Sequence, residues 1–492
     1  MDLKDQMNKR ALFLSIGAAF MLLTAVLTFH TLQTPSHQLV SPPSFTQDPA
    51  PSAQMAERLS HAIQFATVSG EGSQKQVEFT KLHAFLAQAF PLTFQILKPE
   101  RVNQSSLLIH VPGLAPEQPA ALFLAHLDVV PVEKGTENLW QAPPFSGRIQ
   151  AGHIWGRGAI DDKQSALALL EAIEAMLKAG IKPKRSIYLA FGHDEEIGGQ
   201  QGAAAIAKTL QKRKLNCGFS LDEGLVIVPG NMIGMKPPIA LIGISEKGYL
   251  SVDLSVAQAG GHASMPPAES NIQILAQALV RLQKNPFPAR LSAAAQAMFA
   301  WLAPEMPGLS KVVLTNLWLF QPLLLKQLSA KPSTSALIHT TVAPTMLVGS
   351  PKENILPAQA KATLNLRLLP GDTQAQVLAK LRQKIADPRV KIDPHPGFSS
   401  EAAPESEIEG NEFQLLHQTI REVFPEARVA PSLVLAGTDS RHYQKLCKNQ
   451  YRFQPVYLNT EDLNRIHGSN ERIAITAHAQ ASRFYFKLMQ NL

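Results

Sequence analysis

The chain has 492 residues, of which 45% are hydrophobic and 17% charged, and its formal net charge is +7. This length is too great for one ordinary core and predicts two or three compact units. The basic residues form no Lys/Arg block interleaved with aromatics, so we expect a solvated basic surface and no nucleic-acid partner. The only cysteines, Cys217 and Cys447, exclude a disulfide framework and a cysteine-rich zinc site, and leave a single disulfide open.

The N-terminus combines a short basic tail, residues 1–10, with an apolar segment, residues 11–30. The apolar length suits a membrane-spanning helix or a signal sequence. Because the next Lys or Arg is Arg58, the positive-inside rule predicts a cytoplasmic tail and places the bulk of the chain on the periplasmic, extracellular or lumenal side. A poor cleavage signal favours an uncleaved anchor, and secretion is the alternative if the segment is removed.

The remaining chain divides by its patterns. Residues 31–54 are rich in Pro and Ser and predict an extended linker. Residues 55–247 alternate between strands and helices, and the same pattern resumes at 396–492, which predicts an α/β catalytic domain with a helix-covered, mostly parallel sheet. Residues 248–395 predict an inserted α+β lid or dimerisation domain. Within it, the apolar helical stretch 293–327 predicts core packing, with an acyl-binding or subunit surface as the alternative.

Two apolar strands each end in residues of the kind that bind metals. The strand at 121–125 leads into His126 and Asp128, and the strand at 186–191 leads into Glu195 and Glu196. Such strand ends meet at the carboxyl edge of an α/β sheet, where ligands bind. We expect His126 to bind metal while Asp128 accepts its other ring N–H and fixes the tautomer. One of the paired glutamates would bind metal while its neighbour holds a water.

Three further residues extend this pattern. Asp161 lies at the mouth of a predicted helix, Asp222 follows another apolar strand, and His467 lies in a polar loop. Each position alone is more typical of a structural role, such as a helix N-cap for Asp161. Together with His126 and Glu196 they supply one nitrogen ligand per metal and several carboxylates, which predicts two zinc ions, with manganese or cobalt as possible substitutes.

At these residues the chain resembles the dinuclear-zinc metallopeptidase superfamily of aminoacylase, carboxypeptidase and succinyl-diaminopimelate desuccinylase. The resemblance is closest to the carboxypeptidase S-like branch, which includes N-acyl amino acid hydrolases. The matching stretches occur in the family's order across nearly all of 55–492. They are His-Leu-Asp-Val-Val-Pro (126–131), Trp-Gly-Arg-Gly-Ala-Ile-Asp-Asp (155–162), Asp-Glu-Glu-Ile-Gly-Gly (194–199), Gly-His-Ala-Ser (261–264), Gly-Thr-Asp-Ser-Arg (437–441) and Ile-His (466–467).

The resemblance implies a role for each ligand. His126 and Asp222 would hold one zinc, and Glu196 and His467 the other. Asp161 would bridge the two, with a cis peptide between it and Asp162. Glu195 would be the general base that activates the water and returns the proton to the leaving amine.

The resemblance also implies residues that meet the substrate. His262 would reach across a homodimer to stabilise the tetrahedral oxyanion. Arg441 would hold the substrate carboxylate, and Arg367 and Asn354 are weaker candidates of the same kind. The implied reaction is hydrolysis of the amide next to a C-terminal amino acid, in short peptides or N-acyl amino acids. The alternatives are an aminopeptidase or dipeptidase of similar site design, or a non-enzymatic anchored relative.

Overall fold

The computed structural model describes residues 3–40, 42–70 and 73–492. The first two residues of the predicted cytoplasmic tail, and residue 41 of the predicted linker, lie outside the described residues. The helices, in chain order, are α1 (Leu3–Gln33), α2 (Ser52–Ile63), α3 (Ser73–Ala89), α4 (Lys163–Lys178), α5 (Ala203–Lys212), α6 (Asn271–Lys284), α7 (Ala293–Leu302), α8 (Gly308–Thr315), α9 (Leu317–Leu328), α10 (Pro332–Ile338), α11 (Gln374–Ile385), α12 (Asn411–Val423), α13 (Thr460–Leu463) and α14 (Ile475–Asn491).

The strands form one large sheet and three smaller ones. In chain order they are β1 (Glu100–Val102), β2 (Ser106–Val111), β3 (Ala120–His126), β4 (Ile149–Gln150), β5 (His153–Trp155), β6 (Ile187–Gly192), β7 (Cys217–Val228), β8 (Ile239–Glu246), β9 (Gly248–Ala257), β10 (Gly261–His262), β11 (Thr341–Val348), β12 (Ile355–Leu356), β13 (Gln359–Leu368), β14 (Lys391–Pro394), β15 (Arg428–Val434), β16 (Cys447–Tyr457) and β17 (Arg472–Ala474).

The large sheet has the strand order β1-β2-β6-β3-β7-β16-β8-β15 and is mixed, so the expected mostly parallel sheet is wrong. Strand β3 runs parallel to β6 and β7, β16 runs parallel to β7, and β15 runs parallel to β8. The pairs β1–β2, β2–β6, β7–β8 and β8–β16 are antiparallel. Strands β7 and β8 are joined without a crossover helix, and so short a connection favours antiparallel pairing.

Helices cover both faces of this sheet. On β3, Phe123 belongs to the cluster that includes α2, α4, α12 and α14, whereas Leu122 and Leu124 belong to the cluster with Ile206 and Leu210 of α5. Alternate residues of a strand point to opposite faces, so a strand covered on both sides needs apolar residues throughout. Burial of each large aliphatic or aromatic side chain stabilises the fold by about 1.5–3 kcal/mol. This packing holds the end of β3 in a fixed place.

The segment between 248 and 395 forms a second sheet, with the order β11-β13-β9-β14 and antiparallel pairing throughout. Helices α6 and α11 pack on it through a separate apolar cluster. The apolar stretch 293–327 is partly buried in the core and partly exposed at the surface. Trp301 of α7 is buried in the main core against Phe413, as predicted, whereas Trp318 of α9 is 60% exposed, so the prediction of core packing is wrong for that part.

The Pro/Ser-rich linker follows the surface of the large sheet. Gln38 pairs with the backbone of Val429 through two hydrogen bonds of 2.8 and 2.9 Å, and so covers part of the edge strand β15. The backbone N–H of Phe45 donates to the carbonyl of Glu422, 2.8 Å away. The linker is extended, and its polar groups bond to the domain.

Cys217 and Cys447, which lie opposite each other at the start of β7 and β16, form a disulfide. The sequence left this pairing open. The bond joins two strands that are 230 residues apart in the chain, so it closes a long loop and restricts the unfolded state.

Because three histidines are buried, we expect the free energy of unfolding to fall in mild acid. Burial lowers the pKa values of His83, His417 and His478 to about 4, below the usual 6.5. As the pH falls, these histidines therefore take up protons in the unfolded chain before they do so in the folded chain. Stability is lost between about pH 6.5 and pH 4. Each histidine is expected to remove about 2 kcal/mol between pH 7 and pH 5.

The variant His417→Leu tests this by removing one of the three groups without adding a charge. The side chain is fully buried beside Trp301. The free energy of unfolding, measured in urea at both pH values, should depend on pH less steeply in the variant than in the wild type, by about 2 kcal/mol. An unchanged pH dependence would show that the pKa of His417 is the same in the folded and the unfolded chain.

Candidate metal centre

The ends of β3 and β6 lie side by side. The two strands are parallel, and His126 is in register with Gly192, the last residue of β6. The chain that leaves β6 then forms a single helical turn at Glu195–Ile197. The two acids of that turn therefore lie at the same edge of the sheet as His126.

Asp161 lies between two imidazoles. Its Oδ1 atom is 2.9 Å from Nε2 of His126, and its Oδ2 atom is 3.0 Å from Nε2 of His467. The carboxylate precedes α4, and the Asp161–Asp162 peptide is cis, as the resemblance implied. Each oxygen of one carboxylate thus faces the nitrogen of a different imidazole.

Glu196 completes a compact group of donors. Its Oε2 atom is 3.2 Å from Nε2 of His467, and donor atoms of His126, Asp161 and Glu196 all lie within 4.8 Å of one another. The Oε1 atom of Glu196 is buried and has no hydrogen-bond partner among the described residues. A buried carboxylate oxygen without a partner is costly unless a cation binds it. Neutral imidazole nitrogens and carboxylate oxygens are donors that fit zinc.

Asp128 holds the first of these histidines in place. Nδ1 of His126 lies 3.0 Å from the backbone carbonyl of Asp128 and 3.3 Å from its Oδ1. The backbone N–H groups of Glu195 and Glu196 donate to the same carboxylate, each over 3.2 Å. Asp128 thereby orients the imidazole and ties the end of β3 to the turn after β6.

Asp222 is buried nearby but lies outside the compact donor group found in the described part of the chain. Its oxygens accept the backbone N–H groups of Ser440, at 2.7 Å, and Glu223, at 2.9 Å. Burial raises the pKa of Asp222 to about 6. Asp439 is also buried, and burial together with the neighbouring Glu195 and Asp222 raises its pKa well above the usual range. Asp439 received no role from the sequence.

Glu195 faces a cleft of about 390 Å³ between the two sheets. Burial raises the pKa of its carboxyl to about 8, against the opposing effects of His126 and Arg441. The Nη2 atom of Arg441 is 3.4 Å from Oε1 of Glu195. Glu196 and His467 line the same cleft, so the acid next to the donor group is open to a substrate placed there.

Two guanidinium groups line this cleft from opposite domains. Arg441 follows β15 and lies over the ring of Phe398, 4.5 Å from its centre. Arg367 belongs to β13 of the second sheet and lies 4.6 Å from the ring centre of Tyr249. The Nε atom of Arg441 is buried and makes no hydrogen bond within the described residues. Two stacked guanidinium groups, one of them with a donor that has no partner among the described residues, suit an anionic group of a ligand.

His262 and Asn354 lie together, away from this cleft. His262 is exposed on β10, which pairs with β12, and the carbonyl of Asn354 accepts the backbone N–H of Ala263 over 3.1 Å. Neither residue lines the cleft that contains Glu195. The chain on its own therefore does not bring them to its donor group.

The sequence analysis missed Glu471, which shapes the loop that carries Asp161. Its buried Oε1 accepts the backbone N–H groups of Gly158, Ile160 and Asp161 at 2.9 to 3.2 Å, and its Oε2 pairs with Arg157 at 2.6 Å. Glu471 lies four residues after His467 in the same polar loop, and this position in the sequence could have suggested a role near the site. Glu471 thus ties the loop that carries Asp161 to the loop that carries His467.

We expect Glu471→Gln to destabilise the fold by about 3–5 kcal/mol, because Arg157 would remain buried without a counter-charge. Urea unfolding at neutral pH gives this value. Glu461→Gln is the matched control, since Glu461 pairs with Arg465 at 3.0 Å but its side chain is 78% exposed; that loss should stay below about 1 kcal/mol. Equal losses in the two variants would contradict the role given to Glu471.

The family model "Peptidase family M20/M25/M40" matches residues 122–491. The chain is 40% identical over 490 residues to the "Probable carboxypeptidase S-like 2" of Dictyostelium discoideum, covering 97% of this chain and 92% of that protein. It is 39% identical over 434 residues to an N-fatty-acyl-amino acid synthase/hydrolase of Danio rerio, covering 87% and 84%.

Among solved structures, the fold is similar to that of the M20 family metallo-carboxypeptidase Sso-CP2 from Sulfolobus solfataricus. The TM-score is 0.65 at 18% identity, and the match covers 89% of this chain and 99% of that one. At this identity the likeness concerns the fold alone. The candidate centre lies within the stretch that the family model covers.

Proposed function

The chain belongs to peptidase family M20/M25/M40, and on that basis we propose that it hydrolyses the amide bond next to a C-terminal amino acid, in short peptides or N-acyl amino acids. Family membership makes the chain a peptidase or amidohydrolase. The observation that supports the finer proposal most strongly is Asp161 between the imidazoles of His126 and His467, with Glu195 and two arginines in the adjoining cleft.

The proposal includes two zinc ions, for which manganese or cobalt are substitutes. His126 and Asp222 would hold one, Glu196 and His467 the other, and Asp161 would contact both. The partnerless oxygen of Glu196 and the mixed nitrogen and oxygen donors support this. When bound, the metals would polarise the scissile carbonyl and lower the pKa of the attacking water.

Glu195 would move the proton. Its carboxylate would accept a proton from the water as the oxygen attacks the carbonyl carbon of the amide, and would then give that proton to the leaving amine as the C–N bond breaks. The products are a carboxylic acid and a free amino acid. Asp128 would keep His126 in one orientation throughout, because it would accept a hydrogen bond from the N–H of the other ring nitrogen, Nδ1.

Arg441 and Arg367 would bind the carboxylate of the C-terminal amino acid. Both guanidinium groups line the cleft that contains Glu195, and planar guanidinium groups bind carboxylates through paired hydrogen bonds. The names of the relatives, a carboxypeptidase S-like protein and an N-fatty-acyl-amino acid synthase/hydrolase, support a substrate of this type. Asn354 stays a weaker candidate because it lies outside the cleft.

His262 would stabilise the oxyanion in the cleft of a second copy. Its exposed place on β10, outside the cleft of its own chain, is compatible with this role only in a homodimer. The inserted domain would then serve both as a lid and as the dimer contact.

The N-terminal helix supports a location at a membrane. The most apolar 18-residue window of Ala11–Gln33 has a mean hydropathy of 2.3, and no residue of that window is buried in the described structure. We propose that it anchors the chain with the catalytic part on the non-cytoplasmic side, or that it directs secretion if it is cleaved. The disulfide between Cys217 and Cys447 supports an oxidising compartment.

The test of this function is turnover of an N-acyl amino acid compared with its C-amidated analogue, in the wild type and in Arg441→Ala. The wild type should prefer the free acid, and a chelator should abolish its activity. Loss of a charged hydrogen bond worth about 1.5–3 kcal/mol should lower kcat/KM of the variant for the acid by about 10- to 150-fold. The rate with the amide should change much less, because the amide offers no anion to Arg441.

Hydrolysis of the amidated analogue at the same rate as the free acid would contradict the carboxylate role. Preference for a substrate with a free α-amine, together with inactivity on N-blocked compounds, would favour the aminopeptidase alternative. Activity that survives complete removal of metal would contradict the metal-dependent mechanism.

A further inference from the structure

Helices α8 and α9 form an elbow that leaves apolar side chains in solvent. The two helices are bent by 113° at Asn316 and together are as apolar as a membrane segment. Leu309 is 76% exposed, Trp318 60% and Leu323 55%. Neither helix is long enough to cross a bilayer, since about 20 residues are needed. Large apolar side chains exposed on two consecutive helices mark a surface that a partner protein or a lipid layer covers.

The elbow is attached to the N-terminal helix. The hydroxyls of Thr31 in α1 and Thr315 in α8 lie 3.0 Å apart, and the side-chain amide of Asn316 donates to the Thr31 hydroxyl over 3.0 Å. All three side chains are buried. The exposed apolar surface of the elbow therefore adjoins the last turns of α1, where the apolar segment ends.

The charge of this region suits an anionic lipid surface. Residues 306–352 contain no Asp or Glu, and the charged residues among them are Lys311, Lys326, Lys331 and Lys352. Lysines next to an apolar surface favour the headgroup layer of anionic bilayers. Trp318, with its amphipathic ring, is a residue type enriched at that depth. A dissolved partner protein would have to supply both the apolar cover and the negative charge.

We propose that the α8–α9 elbow lies in the interfacial layer of the bilayer that α1 crosses, as a second membrane contact of the same chain. The proposal depends on the membrane anchor proposed above. Helix α7 precedes the elbow, contacts β15, and packs Trp301 against Phe413 of α12 in the main core. Two membrane contacts joined to the large sheet in this way would fix the orientation of the cleft relative to the lipid surface.

The test uses the full chain reconstituted in vesicles of phosphatidylcholine and phosphatidylglycerol. Both cysteines are paired, so one introduced cysteine is the only free thiol and can carry an environment-sensitive fluorophore. Leu309→Cys, Trp318→Cys and Leu323→Cys report on the elbow, and Phe20→Cys reports on α1. Val280→Cys is the matched control, because Val280 is an exposed apolar residue (45%) on α6, outside the elbow.

Phosphatidylcholine brominated on its acyl chains should quench the three elbow labels and the label at position 20 at least about twofold more than the label at position 280. Quenching at position 20 without quenching at the elbow would overturn this inference and leave the anchor standing. Quenching at the elbow without quenching at position 20 would refute the anchor, and would overturn with it the inference that depends on the anchor. If the emission of the elbow labels shifts with protein concentration and is not quenched by brominated lipid, a second copy of the chain covers the elbow. That result would overturn the inference.

Discussion

Glu195→Gln is expected to lower kcat for an N-acyl amino acid by about 10²- to 10⁴-fold, the range that a general base supplies. Glutamine has nearly the same shape as glutamate, and its carbonyl can still accept a hydrogen bond from Arg441. It cannot accept the proton of the water. The substituted side chain lies beside the donor group and is not one of the proposed ligands, so the metal content measured by mass spectrometry should remain that of the wild type.

Glu196→Gln is the matched variant for this experiment, because it changes the adjacent side chain in the same way. It should lose metal as well as activity, since one oxygen of Glu196 faces His467 at 3.2 Å and the other has no partner in the described chain. Near-normal turnover in Glu195→Gln would contradict its role as the base. Loss of metal in Glu195→Gln, with full metal in Glu196→Gln, would exchange the two assignments.

Asp161→Asn is expected to lower both metal content and activity, the latter by at least about a hundredfold. The carboxylate gives one oxygen to each side of the centre, and an amide would replace one of those oxygens with a nitrogen that donates and cannot bind a cation. The imidazoles of His126 and His467 would then face each other without the shared negative charge.

Asp162→Asn is the matched control on the other side of the same peptide bond. Burial raises the pKa of Asp162 well above its usual range, and its carboxyl is not one of the proposed ligands, so an amide of the same shape should leave the donor group in place. Its Oδ1 accepts a hydrogen bond from Gln454 over 3.4 Å. This variant should keep its metal. Equal metal loss in both variants would mean that the loop as a whole was disturbed, and equal retention would contradict the bridging role of Asp161.

The site was largely predictable because its residues follow rules of local structure. His126 and Glu196 each come after a buried strand, and parallel neighbouring strands end at one edge of a sheet. Asp161 stands before a helix, where a carboxylate is exposed at the helix mouth. His467 offered no such pattern of its own, and the resemblance to a family was what tied it to the other ligands.

Other features depend on contacts that the sequence does not encode locally. The prediction of a mostly parallel large sheet was wrong because an apolar run indicates that a strand is buried, but does not indicate whether its neighbours are parallel or antiparallel to it. Glu471 was missed because its role is to accept backbone N–H groups of a distant loop. Core packing was the favoured prediction for the stretch around Trp318, and a surface only the alternative, because composition alone cannot distinguish a buried apolar helix from an exposed one.

The most direct test of the central claim is anomalous diffraction at the zinc edge from crystals of the protein prepared with zinc. We expect two anomalous peaks at the carboxyl edge of the large sheet, about 3.5–4 Å apart, with Asp161 between them. One peak should lie beside His126 and the other beside His467. A single peak, or peaks remote from Asp161, would contradict the two-metal account of this enzyme.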